Sequence, residues 1–584
     1  MLVVKKAVSK SYLLRNIYGV RLSKRLFSKN VIFSPSQDIV IPECTVTEWI
    51  YSKMEPFNKY TAVECVDTGK KYTFEQVRRK AGNLSKALRK NWNLEPGDVV
   101  AIYMSNSPDF FVACLGILEA ELIITTINHM YKADEISKQL TDSFAKVIIT
   151  QPQNFSEVKK AFQQNKNDLP IISVKNKEND SLPEGCINFE ELINTTLDFS
   201  IGITRKAEDL AFLPYSSGTT GVPKGVEITQ RNIVAMGIQT IHPDYKMMEP
   251  PTDNHQDMVP GILPMYHIYG FMMLQLNCLT TGMRLLSFPK FTPQLFISVL
   301  RNYNISMMYI VPPIVLFLTN HPEVKTEDLQ SLRFVLSGAA PLGILDEKKF
   351  KQKVGHAFHM VQGYGATEAT GMVTSLGNKK LFDKLDKYQG SSGPPIPSTR
   401  IKVVKIEDQT GTPLGPGETG EILIKGPQLM RGYLDKPEET RKVFLDGWYR
   451  SGDIGYYNSE GLLYVTDRLK EIIKVKGLQV APAELEEIIR DFPSVEDAAV
   501  IGVPHPLFGE VPRAYIVEKH GATLKPEEIN KFVAEKVAKH KHLVGGVEIV
   551  DSIPKNPSGK ILRKELRQEY DKKSFDGAAN KSLF

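Results

Sequence analysis

Acidic side chains are missing from the start of the chain. The first is Asp38, whereas residues 1–29 carry Lys5, Lys6, Lys10, Arg15, Arg21, Lys24, Arg25 and Lys29. Cysteine is sparse as well: Cys44, Cys65, Cys114, Cys186 and Cys278 form an odd set with no C-x-x-C pair, which excludes a disulfide framework and a cysteine-based zinc cluster and fits a reducing compartment. Long hydrophobic runs are lacking too. The longest uncharged stretch, residues 259–283, is interrupted by Pro264, His267, Gln275 and Asn277 and reads as buried core rather than a membrane span. There is no internal repeat and no low-complexity tract. With 42% hydrophobic and 24% charged residues, disordered, collagen-like and coiled-coil classes are excluded, and 584 residues are too many for one small domain.

The acid-free leader has the charge profile of a mitochondrial transit segment, with Leu13, Leu14, Ile17 and Tyr18 as an apolar arc and Ser9, Ser11, Ser23 and Ser28 interspersed. Removing its eight positive charges turns the net +6 into −2, so the basic balance belongs to this segment and gives no support to nucleic-acid binding. The expected location is the mitochondrial matrix, with cytoplasm or peroxisome as the alternatives. The chain's last three residues, Ser582-Leu583-Phe584, are not the S-K-L peroxisomal address.

Apolar runs bounded by turn residues alternate with helical patterns, as at 147–150, 211–215, 307–311 and 332–336, which predicts a parallel sheet covered by helices on both faces. From about Arg400 short strands joined by glycine-rich turns predict an antiparallel, barrel-like insert. Near Asp467 a charged stretch precedes a fresh strand, 474–479, and a helix opened by Pro482. The predicted organisation is α/β: a transit segment (1–35), a large N-terminal domain of parallel αβ sheets with a β-barrel-like subdomain (36–467), a hinge (468–470), a small mobile α+β C-terminal domain (471–570) and a frayed polar tail (571–584).

The chemistry is carried by a series of short segments. YSSGTTGVPKG at 215–225 puts hydroxyls and flexible backbone amides together, as a triphosphate requires, without the spacing of a Walker A loop. There follow in order LPMYHIYG (263–270), SGAAPLG (337–343), QGYGATE (362–368), WYRSGD (448–453), DRLKEIIKVKGLQVAP (467–482) and PKNPSGK (554–560). This series resembles the adenylate-forming superfamily of acyl-CoA synthetases, coumarate-CoA-type ligases, beetle luciferases and peptide-synthetase adenylation domains, over roughly residues 45–565. The resemblance implies an ATP-dependent ligase that activates a carboxylic acid as its acyl-adenylate and transfers it to CoA, releasing AMP and pyrophosphate.

It also implies roles. Ser216, Ser217, Gly218, Thr219, Thr220, Gly221, Lys224 and Thr367 would meet the phosphates, with Glu368 on Mg²⁺. Gln362, Gly363, Tyr364 and Gly365 would form the adenine side, and Asp453 and Arg468 would meet the ribose. Lys560 would neutralise charge in adenylation and His267 would orient the carboxylate. The C-terminal domain would turn about Lys470 to bring Lys474, Lys476, Gly477 and Gln479 to the second half-reaction. Tyr269, Met273, Gly338, Ala339, Gly363, Gly371 and Met372 would line an apolar acyl or aryl pocket beside His267. Asn128-His129 stands where many relatives have Asn-Pro, Ala366 replaces a commoner larger residue, and Gly371-Met372 differs from the plant phenylpropanoid ligases. Two other readings stand beside the ligase: a luciferase-like oxygenase sharing all these motifs, and a catalytically silent acyl-nucleotide binder, which loss of Lys560, Glu368 or Lys224 would signal. His356 and His359, three apart, lack nearby acids and read as packing or surface residues. Expected partners are the small acid, ATP and CoA, with neither nucleic acid nor a transmembrane segment.

Overall fold

This computed structural model describes residues 27–28, 30–166, 168–177, 179–216, 223–476, 478–519, 521–556 and 559–581. Its centre is a sheet whose strand Val99–Tyr103 lies between parallel neighbours Ile123–Thr126 and Ala145–Thr150. These strands are runs of β-branched and apolar residues without polar alternation, because helices cover both faces. One cover is the helix Phe74–Trp92, opened by a reciprocal cap between Thr73 and Gln76 and closed by Asn93 in the left-handed conformation, φ 50°. The helix Pro108–Glu119, buried along almost its entire length, packs against it.

A second parallel group joins Met258–Gly261, Arg284–Ser287 and Thr61–Cys65, and a third joins Met307–Ile310, Phe334–Ser337 and His359–Ala366. The amide of Ser306 donates to the carbonyl of Met258 at 3.3 Å and ties the two groups. The uncharged stretch 259–283 is core: a strand, a fully buried π-helix Gly270–Leu276 and a short helix Asn277–Thr281. No helix among the described residues is long and apolar enough to cross a membrane.

The barrel-like insert is a seven-stranded antiparallel sheet built on Arg400–Val404, Gly420–Lys425, Trp448–Tyr457 and Leu463–Arg468. Its edge is supplied by the N-terminus. Val31–Phe33 pairs with Arg400–Val404, Ile32 is wholly buried, and the Ser36 hydroxyl donates to Asp244 at 2.7 Å and accepts from Asn378 at 3.0 Å. This corrects the boundary drawn at residue 35: residues 31–36 belong to the folded domain, and the bulk of the basic leader lies outside the described residues. A chain starting at Asn30 should therefore melt like the full chain. One starting at Gln37 should lose about 2 kcal/mol from Ile32 alone and unfold at lower denaturant.

The small domain is a five-stranded sheet around Val495–His505 and Gly509–Glu518, with helices Pro482–Arg490, Pro526–Lys536 and Arg563–Lys581. Two expectations are corrected here. The strand expected over 474–479 is a tight hairpin, Ile473–Val475 against Leu478–Val480, with Lys476 at φ 50° in its turn. The tail expected to fray is helical as far as Lys581.

Candidate active site

The phosphate-type loop is a β-hairpin: Tyr215 and Ser216 pair with Gly225 and Lys224. Ser217, Gly218, Thr219, Thr220 and Gly221 lie outside the described residues. At the base of the hairpin the Ser216 hydroxyl donates to Glu368 Oε1 at 2.8 Å, and the Tyr433 hydroxyl donates to the same oxygen at 3.0 Å. Two hydrogen bonds to one oxygen fix a buried carboxylate and leave Glu368 Oε2 to a further partner. Lys224 is buried in an ion pair with Glu439, 2.6 Å, its amine 5.0 Å above the Tyr433 ring. Hydrogen bonds from Lys224 and Lys442, with the charge of Lys224 adding to them, hold the Glu439 carboxyl down to about 2. Tyr433 thus links the two charged residues. The motifs gave no sign of it: it comes from a short strand, Gly432–Tyr433, that reaches the hairpin from residues distant in sequence.

The strand His359–Ala366 carries the adenine-side residues. It turns back on Gly371–Ser375, and no side chain fits at Gly365, where a Cβ would lie 1.8 Å from the Gly371 carbonyl oxygen. Gly371 itself has φ 117°. The Tyr364 hydroxyl donates to Asp453 at 2.6 Å, and Arg468 reaches the other oxygen of Asp453 at 3.2 Å. Gln362 does not face this group. Its side-chain amide accepts from the Leu342 amide and donates to the Leu342 carbonyl, both at 3.1 Å, and so pins the 337–343 loop.

That loop and the His267 segment define the acyl side. Ala339 is forced to φ 68°, a conformation rare for a residue with a side chain and found where a site fixes its backbone. The Tyr269 ring lies against Gly338, where a Cβ would sit 3.4 Å from it, and its hydroxyl donates to the carbonyls of Ile310 and Leu336. Met273 and Met372 are buried alongside, and Gly363 leaves the Leu336 side chain room. His267 Nδ1 accepts the Tyr269 amide at 3.2 Å, which leaves the ring proton on Nε2. Burial, with Lys560 adding to it, pushes the imidazole down to about 4, so it is a neutral donor. A cavity of about 40 Å³ brings together His267, Thr367, Tyr215 and Asn128.

Lys560 comes from the small domain. The PKNPSGK loop closes on itself: the Asn556 side chain accepts the Lys560 amide at 2.8 Å, and Gly559 takes φ 78°. Its tip docks on the large domain, where a Gly559 Cβ would be 3.0 Å from Pro313. Burial, followed by the nearby Arg468 and Lys470, pushes the Lys560 amine down to about 7, while Asp453 and Glu471 oppose this. Lys560, Arg468, Asp453 and His267 therefore converge on one site from four segments.

The residues assigned to the second half-reaction are elsewhere. The Lys474 amine is exposed, 3.9 Å from Glu407 on the barrel-like insert; Lys476 lies 4.2 Å over the Phe508 ring; Gln479 is exposed; Gly477 is outside the described residues. Lys470 sits in the tight turn that follows Arg468, its side chain exposed, its amine pulled below the usual range by partial desolvation and by Arg468. His356 lies against the carbonyls of Leu332 and Val354 and His359 stacks on Phe382 at 3.9 Å; both are packing residues.

A protein-family model for AMP-binding enzymes matches residues 52–434, and one for the AMP-binding enzyme C-terminal domain matches 484–560. The chain belongs to the AMP-binding enzyme family. It is 36% identical over 525 residues to 4-coumarate--CoA ligase 3 of Oryza sativa subsp. japonica, covering 90% of this chain and 92% of that protein. Relatives named as plant coumarate ligases thus match despite the departures at Asn128-His129 and Gly371-Met372. Among solved structures it is similar to ATP-bound MatB from Rhodopseudomonas palustris, with a TM-score of 0.79 and 26% identity over 91% of this chain and 99% of that one. The apo form of MatB gives 0.71.

Proposed function

We propose that this AMP-binding enzyme is an acid–thiol ligase that couples a mainly apolar carboxylic acid, fatty or aryl, to CoA through an acyl-adenylate. The observation that carries the proposal is the placement of Lys560 beside Arg468, Asp453 and His267 at the foot of the phosphate hairpin.

The acid's carboxylate oxygen attacks the α-phosphorus of ATP, the bond to the β-phosphate breaks, and pyrophosphate leaves. Two anions meet in this step, so the site must supply positive charge where the charge gathers. Lys560 supplies it, and neutral His267 donates from Nε2 to orient the carboxylate without competing for the phosphates. Asp453, held by Tyr364 and Arg468, receives the ribose hydroxyls. The free oxygen of Glu368 suits Mg²⁺ held by one carboxylate together with substrate phosphates and water, and when bound the ion would offset phosphate charge. In the second step the CoA thiolate attacks the acyl carbon, AMP leaves, and the thiol proton passes to solvent.

The titration of Lys560 gives a pH test. The amine acts as a cation, and its depressed value in the nucleotide-free site means that kcat/KM for ATP should fall as pH rises through about 7. With ATP bound the phosphates favour the charged form, so kcat should hold to higher pH. Matching alkaline limbs in both profiles would contradict this assignment.

The substrate class is tested with a panel of short, medium, long and aromatic acids supplied with ATP, with and without CoA, following pyrophosphate and thioester. Thioester is expected with apolar acids and weak turnover with dicarboxylates, since no second buried cation faces the pocket among the described residues. Pyrophosphate without thioester, or light with O₂, would favour the oxygenase. No adenylate from any acid would favour the silent binder. We further propose mitochondrial import through the basic leader; a reporter carrying residues 1–30 that stays cytosolic would remove that part alone.

A further inference from the structure

The small domain touches the large one at a second place, away from Lys560. Glu487, on the helix Pro482–Arg490, accepts the backbone amide of Ile344 at 3.2 Å and packs against Gly343, where a Cβ would meet its carboxylate at 3.1 Å. One turn along, Arg490 lies 3.7 Å from Asp346, and both side chains are largely shielded from water, at 18% and 15% exposure. Ile344 opens the helix Ile344–Val354, so Glu487 places a negative charge at its N-terminus and Arg490 meets the acid of its first turn. These contacts fall at the end of the 337–343 loop, whose other anchor is the paired hydrogen bond between Leu342 and Gln362.

We propose that Glu487 and the Arg490–Asp346 pair form a latch that holds the small domain in the adenylation position, making all three positioning residues that act through Lys560. The physical argument is a comparison of the contacts that rotation about Lys470 must break. Lys474–Glu407 is long and fully solvated, with exposures of 65% and 78%, and such pairs contribute little. The Gly559 tip is a small apolar contact. The Arg490–Asp346 pair is a charged contact between the two domains that is shielded from water, as is Asp467 beside the hinge, which accepts the Ala483 amide at 3.1 Å, and Glu487 adds a carboxylate on a backbone donor. The latch therefore biases the equilibrium between the two placements, and a change in that equilibrium affects the two half-reactions in opposite directions. Because the latch ends at the pocket-wall loop, it also ties the lid to the part of the large domain that lines the acyl group.

This inference rests on the ligase reading, and the experiment separates the two. In full-length enzyme, Glu487→Gln, Arg490→Asp, Asp346→Arg and the charge-swapped double variant are assayed for acyl-adenylate formation from ATP and acid, and for thioester formation from supplied acyl-adenylate and CoA. Each single variant should slow adenylation by about five- to tenfold while thioester formation is unchanged or faster, and the charge swap should restore adenylation relative to either of its parents. Thioester formation doubles as the check that the variants fold. An equal fall in both half-reactions, unchanged adenylation, or a swap that fails to restore it while thioester formation persists would each overturn the latch. Absence of thioester in the unaltered enzyme would overturn the ligase reading instead.

Discussion

Lys560→Ala is expected to slow acyl-adenylate formation by on the order of 10² to 10³, about 3 to 4 kcal/mol, while supplied acyl-adenylate is still converted to thioester. The magnitude follows from what the amine does in its surroundings. It stands among Arg468 and Lys470, is largely removed from water, and is already depressed to about 7, so its charge is held against repulsion until phosphate arrives. A cation kept at that cost and aimed at a developing anion contributes mainly in the transition state. Folding should not suffer, because removing one of three neighbouring cations relieves repulsion, and a melting curve unchanged or slightly raised would separate lost chemistry from lost structure. Lys560→Arg should recover part of the rate, since it keeps the charge but not the reach.

Lys474→Ala is expected to do the reverse: adenylation proceeds, and thioester formation from supplied adenylate falls on the order of 10²-fold. In the placement described here the Lys474 side chain is exposed and lies near Glu407, far from Asp453 and His267 in its contacts, so its removal should leave the first step unaltered. Its backbone amide is held by Glu510 at 3.0 Å, which fixes the hairpin, and on the proposed rotation of the lid the side chain would meet the second substrate. Similar losses in both half-reactions for Lys474→Ala would mean that one placement of the lid serves both steps.

Much of this architecture is legible in the sequence wherever local chemistry decides. The runs near 99, 123 and 147 are apolar on both faces and become central parallel strands; Pro482 opens its helix; Asn556 and Gly559 make the loop that carries Lys560. What escapes is what tertiary pairing decides. Val31–Phe33 looks like the end of a basic leader until Arg400–Val404 supplies a partner strand. Lys476 sits in the middle of an apparent strand, and only the pairing of Ile473 with Val480 exposes its turn. In the site, Glu368, Asp453, Arg468 and Lys560 stand in recognisable motifs, whereas Tyr433 and Glu439 do not, because their part is to hold Glu368 and Lys224 from across the fold. Gln362 lies in a nucleotide motif, yet its hydrogen bonds go to the pocket-wall loop. Motif position gives the neighbourhood of a side chain; its orientation comes from partners the motif does not contain.

The central claim is that one site makes an acyl-adenylate and then passes it to a thiol. A single-turnover experiment with order of addition tests it most directly: enzyme in excess is mixed with ATP and an apolar acid, quenched samples are analysed, and CoA is added after a delay. The account predicts pyrophosphate and enzyme-bound acyl-adenylate in equal amounts before CoA, then AMP and thioester replacing the adenylate one for one. Thioester formed with no preceding adenylate, or adenylate that CoA fails to discharge, would contradict it.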